Sequence, residues 1–284
     1  MLNRRTEPFS FLFLSDGKNN FEKIKNMNID LRHGDCLQIM KEIPNGSIDM
    51  ILCDLPYGTT QNKWDSIIDL NLLWGEVWRV CKPNAAVVLF SAQPFTTTLI
   101  SSQFKYHKYE WVWVKNLKTG NLNARKMPMG GHETIQVFYK KPPIYNPQKR
   151  KRTTEIPSGN KFNSKTSNYG KQQEEYSDRQ SDEISPDTAL LNFKCVHNSS
   201  GKLHPTQKPV DLCSYFINTY TNEGETVLDM TMGSGTTMVS CIDTNRNGIG
   251  IEKELEHFTN SKKRVEEKRK EKDFNVVTSF GDGM

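Results

Sequence analysis

Residues 226–238 read Thr-Val-Leu-Asp-Met-Thr-Met-Gly-Ser-Gly-Thr-Thr-Met, a hydrophobic run that ends in an acid and continues into a Gly-x-Gly turn and a helical pattern. In an open parallel sheet, ligands bind at the carboxyl ends of strands, where glycine lets the backbone approach closely. The stretch therefore predicts a nucleotide-like cofactor site. A dinucleotide fold would have a third glycine where Met238 stands, which disfavours phosphate binding. A bare strand-to-helix turn is the other interpretation.

An acidic residue follows the next predicted strand. Glu252 closes the run Gly-Ile-Gly-Ile-Glu, 17 residues after Gly235. A carboxylate at this place can accept hydrogen bonds from the 2′ and 3′ hydroxyls of an adenosine ribose. Together, the glycine loop and this acid predict a cofactor that carries adenosine.

A second loop follows the hydrophobic run at residues 48–53 and reads Asp54-Leu55-Pro56-Tyr57-Gly58. Asp54 supplies a carboxylate acceptor, Pro56 stiffens the chain so that backbone carbonyls point outward, and Tyr57 offers a flat ring. These groups suit an amino group on a planar base, which has two N–H donors and a stacking surface. A Pro-Tyr-Gly turn that caps a core strand is the alternative.

Short apolar runs alternate with helical patterns along the chain, which is typical of a parallel sheet covered by helices. The predicted strands are Ile29–Arg32, Ile48–Cys53, Ala86–Phe90, Trp111–Val114, Thr134–Tyr139, Thr226–Asp229 and Gly248–Ile251. The predicted helices are Leu37–Glu42, Leu70–Val80, Phe95–Ser102, Pro209–Tyr220, Thr236–Asn245 and Glu252–Lys270.

Composition indicates an ordinary globular protein. The 284 residues are 35% hydrophobic and 25% charged, enough for one principal domain and an insertion. No apolar run is long enough for a membrane span or a signal peptide, so we expect a cytoplasmic protein without a membrane partner. The six cysteines stand singly, without zinc-like spacing, and we expect reduced thiols and no metal.

The net charge of +5 hides an asymmetry. Residues 105–152 contain 12 Lys or Arg against two Glu, with aromatic residues interleaved. Such a stretch suits a polyanion whose bases can stack on aromatic rings. A solvated basic loop beside a buried hairpin is the alternative.

Residues 140–203 change character, because prolines and the basic run 149–152 lead into a polar Ser/Asn/Gln-rich stretch. Such a segment cannot bury much core, so it is a loop, a linker or a binding insertion. Its place between two parts of a sheet favours a binding insertion. Residues 1–26 show little periodicity and are interpreted as an extension.

These loops together resemble the amino-methyltransferases of DNA, which carry an Asp-Pro-Pro-Tyr type loop and a glycine-rich cofactor loop on one sheet. The resemblance covers about residues 28–258 and is to the permuted subgroup, in which the catalytic loop comes first, the recognition insertion follows and the cofactor loop comes last. It implies a Rossmann-like α/β methyltransferase fold and S-adenosyl-L-methionine as the cofactor.

Further segments are similar to those of the subgroup. The run 33–36 is similar to a loop that places Asp35 near the cofactor or target base, 132–139 to the strand that leads into the insertion, and 204–209 to the segment beside the methionine end of the cofactor. The resemblance implies catalytic roles for Asp54, Pro56 and Tyr57. It implies cofactor binding by Asp35, His204, Thr206, Lys208, Asp229, Gly233, Ser234, Gly235, Thr236, Thr237 and Glu252.

Two positions depart from the family pattern. Leu55 replaces the usual first proline of the catalytic loop, which leaves Asp54 and Tyr57 in register. Met230 and Thr231 replace the usual Pro-Phe after Asp229, so an aromatic contact expected near the cofactor is absent there.

The resemblance also implies a domain plan. Residues 1–26 form an N-terminal extension, 27–139 the catalytic half of the methyltransferase domain, 140–203 the target-recognition insertion, 204–272 the cofactor-binding half of that domain, and 273–284 a C-terminal tail.

The implied reaction transfers a methyl group to an exocyclic amino group of double-stranded DNA. An Asp at the head of the loop, where Ser is commoner in N4-cytosine members, favours adenine N6. The alternatives are N4-cytosine methylation, a methyltransferase with a protein or RNA substrate, and an inactive DNA-binding protein with this fold. A restriction endonuclease is a possible partner, and the oligomeric state stays open.

Overall fold

The computed structural model describes residues 27–58, 66–151, 183–184, 189–196 and 207–281. The predicted N-terminal extension, residues 1–26, lies outside these ranges, as do His204 and Thr206. Within them, none of the helices is both long and apolar enough to cross a membrane.

The described part of the chain forms a large mixed sheet and a small separate one. The strands are β1 (Ile29–His33), β2 (Ile48–Asp54), β3 (Cys81–Ser91), β4 (His107–Thr119), β5 (Gly130–Phe138), β6 (Arg150–Lys151), β7 (Glu183–Ile184), β8 (Leu190–Asn192), β9 (Thr226–Asp229) and β10 (Asn247–Glu252). The large sheet has the order β1-β10-β9-β2-β3-β5-β4-β8. Neighbours are parallel from β1 to β3 and between β4 and β8, whereas β5 is antiparallel to both β3 and β4.

Within the described ranges, six α-helices connect or flank these strands. Their bounds are α1 (Cys36–Ile39), α2 (Leu70–Val80), α3 (Phe95–Ser102), α4 (Val210–Tyr220), α5 (Thr236–Asp243) and α6 (Leu255–Gly281), and a 3₁₀ turn, Met40–Glu42, follows α1. Aspartates cap the first two: the side chain of Asp35 accepts from the backbone N–H of Leu37, and that of Asp69 accepts from those of Asn71 and Leu72.

The sheet is buried on both faces, which explains why its central strands are almost continuously hydrophobic. Successive side chains of a strand point to opposite faces. In β2, Met50 and Leu52 join a core cluster that includes α4 and α5, whereas Ile51 and Cys53 join the cluster that includes α1, α2 and α3. The expected Rossmann-like sheet is therefore the middle layer of a three-layer α/β structure.

The chain changes direction across the sheet between β9 and β2. From β9 it passes through α5 to β10 on one side, and from β2 it passes to β3 on the other. Parallel pairing of Met50 with Val227 and of Ile51 with Leu228 aligns the carboxyl ends of β2 and β9. Such a topological switch point is where open α/β sheets bind their ligands.

The structure corrects several sequence-based expectations. The sheet is mixed rather than parallel, because only residues 120–129 connect β4 to β5, too few for the crossover that parallel strands need. The last helix begins at Leu255 rather than Glu252, since Glu252 still pairs with His33 in the ladder. It also continues past Lys270 to Gly281, because no glycine or proline interrupts the helix before that residue.

The segment 140–203 contributes to two units. Residues 147–189 form a compact unit of their own, in which β6 pairs with β7 in antiparallel fashion. The strand β8 belongs to the main unit, where Leu191 is buried. This short strand was not predicted, because one buried residue in a polar stretch leaves no periodic signal.

Candidate active site

The loop that follows β2 presents a carboxylate with two donors. The hydroxyl of Tyr57 donates to Oδ1 of Asp54 at 2.6 Å, and Nζ of Lys208 donates to Oδ2 at 2.5 Å. The Tyr57 ring stacks on Phe95, with centroids 5.3 Å apart and 21° between the planes. Leu55, which departs from the family pattern, is buried in the core beneath the loop and so anchors it.

Burial and charge set the protonation of this loop. Burial raises the pKa of the Asp54 carboxyl above its ordinary value, and the ammonium of Lys208 offsets part of that increase. Burial and the neighbouring Asp54 raise the pKa of Tyr57 well above its ordinary value. Tyr57 is therefore a neutral phenol whose hydroxyl donates a hydrogen bond to Asp54.

Lys208 belongs to a cluster of four charges. Its Nζ lies 3.3 Å from Oε2 of Glu133, whose Oε1 accepts from Nζ of Lys115 at 3.0 Å. Burial alone would lower the pKa of Lys208, but the carboxylates of Asp54 and Glu133 raise it. Burial likewise opposes ionisation of Glu133, yet Lys208 and Lys115 lower its pKa. The cluster thus holds two cations and two anions, all largely withdrawn from solvent.

Sequence reasoning had placed Lys208 beside the cofactor and had treated Glu133 only as part of a strand. The structure brings both to Asp54. Lys115 was missed, although it directly follows the predicted strand Trp111–Val114 and Glu133 directly precedes the predicted strand Thr134–Tyr139, a signal that could have suggested an ion pair.

The glycine loop after β9 has the backbone conformation that its sequence predicts. Gly233 and Gly235 have φ of 51° and 73°, in the left-handed region that L side chains rarely adopt. The N–H of Gly233 donates to Oε2 of Glu252 at 2.9 Å, and that of Glu254 donates to Oε1 at 2.8 Å. Each carboxylate oxygen keeps acceptor capacity, which is what two ribose hydroxyls require.

Asp229, at the end of β9, is almost completely buried. Its Oδ1 accepts from the N–H of Thr231 at 3.2 Å, and the hydroxyl of Thr237 also bonds to the carboxyl. Burial raises the pKa of Asp229 to about 6. A buried carboxylate beside the first turn of α5 is suited to a cationic or hydrogen-bond-donating group of a cofactor.

Two of the predicted cofactor residues face an arginine that sequence reasoning missed. Nη1 of Arg264 in α6 donates to the carbonyl oxygen of Ser234 at 2.9 Å and to Oγ1 of Thr236 at 3.0 Å. The side chain of Arg264 therefore ties the glycine loop to α6 and stabilises its conformation.

A backbone hydrogen bond holds the loop that contains Asp35 next to Glu252. The N–H of Gly34 donates to the carbonyl oxygen of Glu252 at 2.9 Å, while Oδ1 of Asp35 accepts from Leu37 at 3.0 Å. The side chain of Asp35 is exposed, and Nζ of Lys253 lies 3.8 Å from its Oδ2.

Thr231 joins the two loops directly. Its Oγ1 donates to the carbonyl oxygen of Asp54 at 3.0 Å, and Sγ of Cys53 lies 3.0 Å from the same hydroxyl. Met230 beside it is buried in the core. Of the two residues that replace the usual Pro-Phe, Met230 therefore packs in the core and Thr231 links the two loops.

The residues at this switch point fit an S-adenosyl nucleoside. A Cβ built on Gly233 would meet no atom within 4 Å, so the loop faces open space that a ligand can enter. Glu252 supplies acceptors for a ribose, and Asp229 supplies a buried acid. The loop with Asp54 and Tyr57 adjoins this cradle through Thr231.

Comparison with protein-family models gives a match over residues 48–263 to the family described as DNA methylase, N6_N4_Mtase. Among curated proteins, the chain is 26% identical over 260 residues to the type II methyltransferase M.HpaI of Haemophilus parainfluenzae, covering 87% of this chain and 76% of the relative. It is also 26% identical over 265 residues to M2.MboI of Moraxella bovis, covering 84% and 88%.

Solved structures share the fold. The crystal structure of an M1.HpyAVI–SAM complex aligns with a TM-score of 0.55 at 24% identity, covering 83% of this chain and 99% of that one. The cytosine-N4-specific PvuII DNA methyltransferase aligns with a TM-score of 0.60 at 16% identity, covering 90% and 94%.

Proposed function

Because the chain belongs to the N6/N4 DNA methylase family and uses S-adenosyl-L-methionine to methylate DNA at specific sites, we propose that its target is N6 of adenine. One observation carries the assignment of the site: Asp54 and Tyr57 lie beside the glycine loop, joined to it by the hydroxyl of Thr231. The substrate is proposed to be double-stranded DNA in the cytoplasm. A restriction endonuclease is its proposed companion, as the type II relatives suggest.

The target base must leave the duplex before its amino group can react, at a cost of a few kcal/mol. The half-buried ring of Tyr57 is held by Phe95 and by its bond to Asp54, which makes it a rigid stacking surface. Stacking on an aromatic ring is worth about 1–3 kcal/mol per base, so it offsets much of the cost of unstacking.

The amino group is then oriented by two acceptors. Asp54 and the carbonyl of Pro56 accept its two N–H groups, which draws the nitrogen lone pair out of conjugation with the ring. The bound cofactor supplies an electrophilic methyl group on a sulfonium. The residues of this chain contribute alignment and a negative charge next to a nitrogen that becomes positive, so catalysis is mainly positioning and electrostatics.

Adenine is favoured over cytosine by Asp54 at the head of the loop, where the resembling N4-cytosine enzymes more often carry Ser. The test is incubation with DNA and methyl-labelled S-adenosylmethionine, followed by nucleoside analysis. Label in N6-methyladenine is expected. Label in N4-methylcytosine would overturn the adenine assignment, and absence of transfer to any DNA would overturn the proposed activity.

The roles of the loop residues are tested by Asp54→Ala, which should abolish methyl transfer while leaving cofactor affinity largely intact. Asp49→Ala is the matched control, because Asp49 lies at the amino end of the same strand and also pairs with a lysine, Lys82, at 2.6 Å. That control should keep transfer activity. Activity retained in Asp54→Ala would show that the catalytic assignment is wrong.

We also propose the division of labour along the chain that the family pattern implies. Residues 27–139 carry the catalytic half and 204–272 the cofactor half, while 140–203 read the target sequence. The basic and aromatic composition of 105–152 supports contact with DNA next to that insertion. Exchange of 147–189, a compact unit by itself, for the corresponding segment of a relative should change the methylated sequence and keep the reaction.

A further inference from the structure

Lys208 lies between two carboxylates. Its Nζ is 2.5 Å from Oδ2 of Asp54 and 3.3 Å from Oε2 of Glu133, and the side chain is only 9% exposed. The ring of Phe90, with its centroid 5.1 Å from Nζ, covers the ammonium. A small rotation of the lysine side chain is therefore enough to transfer its closest contact from one carboxylate to the other.

Glu133 has unused capacity on the side of Lys208. Its Oε1 is held by Lys115, which fixes the carboxylate on β5. Its Oε2 is buried and lies 3.3 Å from Nζ of Lys208, a longer contact than the 2.5 Å between Nζ and Oδ2 of Asp54. A charge-assisted hydrogen bond is strongest at shorter distances, so a closer approach of Lys208 would strengthen its bond to this oxygen.

The contact between Lys208 and Asp54 conflicts with the proposed reaction. Each oxygen of Asp54 already accepts one hydrogen bond, Oδ1 from Tyr57 and Oδ2 from Lys208, so the target amino group must compete with the ammonium for this carboxylate. The amino nitrogen also becomes positive as its bond to the methyl carbon forms and the bond from that carbon to sulfur breaks. A cation on the same carboxylate opposes that charge.

We propose that Lys208 is a positioning residue that exchanges partners: it neutralises Asp54 in the base-free enzyme and moves onto Glu133 when the target base enters. The inference rests on the proposed function, because it assumes an amino group that binds Asp54. In the base-bound state Glu133 holds both lysines, while Asp54 keeps the hydrogen bond from Tyr57 and gains those from the amino group of the base.

A double-mutant cycle tests the exchange. Glu133→Gln removes the charge that receives Lys208, so Lys208 stays on Asp54 and the single-turnover rate of methyl transfer should fall about ten-fold or more. Lys208→Met removes the moving cation itself. In the Lys208→Met background, adding Glu133→Gln should change the rate by less than about two-fold, because Glu133 acts through Lys208. Equal losses in the two backgrounds would overturn the proposal.

The pH profile gives a second readout that a merely structural role would not move. The titratable groups that interact electrostatically with Asp54 are Tyr57, Glu133, Lys208, Cys213 and Asp229. Lys208 lowers the pKa of Asp54 and burial raises it, so Lys208→Met should raise it further. The acid limb of the rate profile should then move to higher pH. An unmoved acid limb would also contradict the proposal.

The experiment uses the full chain, plasmid DNA from a host without this methylation, and tritium-labelled S-adenosylmethionine. Controls are Lys82→Met and Glu76→Gln, each of which breaks a lysine or arginine ion pair of 2.6 Å away from the site and should leave the rate and its pH profile unchanged. Cofactor affinity by calorimetry should stay within about three-fold in the Glu133 variants.

Thermal unfolding identifies any variant that fails to fold. If Glu133→Gln does, Glu133→Asp replaces it: this variant keeps the charge, and it should retain more activity than Glu133→Ala. Activity no better than that of Glu133→Ala would count against the exchange. Failure of the wild-type chain to methylate DNA would overturn the proposed function. If the wild-type chain is active but Glu133→Gln lowers the rate by the same factor with and without Lys208→Met, the exchange alone is overturned.

Discussion

The hydroxyl of Thr231 donates to the backbone carbonyl of Asp54 at 3.0 Å, so that the loop proposed to hold the base and the loop proposed to hold the cofactor share a hydrogen bond. The two residues are separated by 177 positions in the chain. Their contact links the two loops directly and fixes one relative to the other.

Thr231→Val should both slow methyl transfer and destabilise the fold. Valine keeps the shape of threonine, but it leaves the Asp54 carbonyl without its donor, a loss of about 1–3 kcal/mol in the free energy of unfolding. A shifted loop should lower the single-turnover rate about ten-fold or more. Thr244→Val is the control, because its hydroxyl bonds to the carbonyl of Ser240 at the end of α5, away from the site. Equal effects on rate in the two variants would contradict a positioning role.

Glu252→Gln should weaken binding of S-adenosylmethionine. Glu252 accepts backbone N–H groups on both oxygens, and glutamine has only one carbonyl oxygen to offer. A displaced Gly233 and a lost ribose acceptor should together cost about 2 kcal/mol, roughly thirty-fold in the dissociation constant.

Glu225→Gln provides the comparison for calorimetry. Glu225 also accepts a backbone N–H, that of Asn222 at 2.7 Å, but it lies just before β9 begins, at the opposite end of the sheet. Its cofactor affinity should match that of the wild-type chain. A wild-type affinity in Glu252→Gln would remove Glu252 from the cofactor site.

The two loop glycines should respond differently to alanine. Both have positive φ, so each substitution should cost about 1–2 kcal/mol of backbone strain. A Cβ on Gly235 would also lie 3.1 Å from Cβ of Ser261, whereas one on Gly233 would meet only open space. Gly235→Ala should therefore be the less stable protein in urea unfolding, and Gly233→Ala should lose more cofactor affinity. A greater loss of cofactor affinity in Gly235→Ala than in Gly233→Ala would mean that the ligand does not approach Gly233.

The stability of the protein should depend on pH through Asp229. Its folded pKa of about 6 is above the value of an exposed aspartate, so between about pH 4 and 6 the folded state holds a proton that the unfolded state has lost. The free energy of unfolding therefore falls as the pH rises through this window, because the buried carboxyl must ionise in the folded state. Two pKa units correspond to roughly 3 kcal/mol at full effect above pH 6.

Asp229→Asn should remove that penalty. The amide oxygen can still accept from the N–H of Thr231, and no charge is buried. Urea unfolding should show the variant to be more stable than the wild-type chain at pH 8 and similar to it near pH 4, while its affinity for S-adenosylmethionine is lower. A variant that is less stable at pH 8 would contradict the assignment of a destabilising buried carboxylate.

The two loops were predictable because each follows a buried strand and ends it with a recognisable residue type. The expected end of β9 at Asp229 is confirmed, and β2 extends one residue further than expected, to Asp54. The positive φ of Gly233 and Gly235 agrees with the expectation of a tight turn. These features are local in sequence, and local patterns of hydrophobicity and glycine encode them directly.

The cluster around Lys208 was not predictable in the same way. Whether Lys115 reaches Glu133 depends on the register of β4 and β5, which places Trp113 opposite Glu133, and on an irregularity between Val114 and Thr119. Whether Lys208 reaches Asp54 depends on the packing of the segment before α4 against the sheet. Contacts of this kind arise from tertiary packing over long separations, which a residue pattern does not specify.

The pairing of β2 with β9 makes the site late to form. While the chain is being synthesised, β2 and β3 are complete long before their neighbour at residues 226–229, so the edge of β2 stays without its partner until most of the chain has emerged. Contacts between segments so far apart close slowly, since a long loop must be ordered first. The contact that sets the base-holding loop against the cofactor cradle can therefore be made only after residues 226–231 have been synthesised.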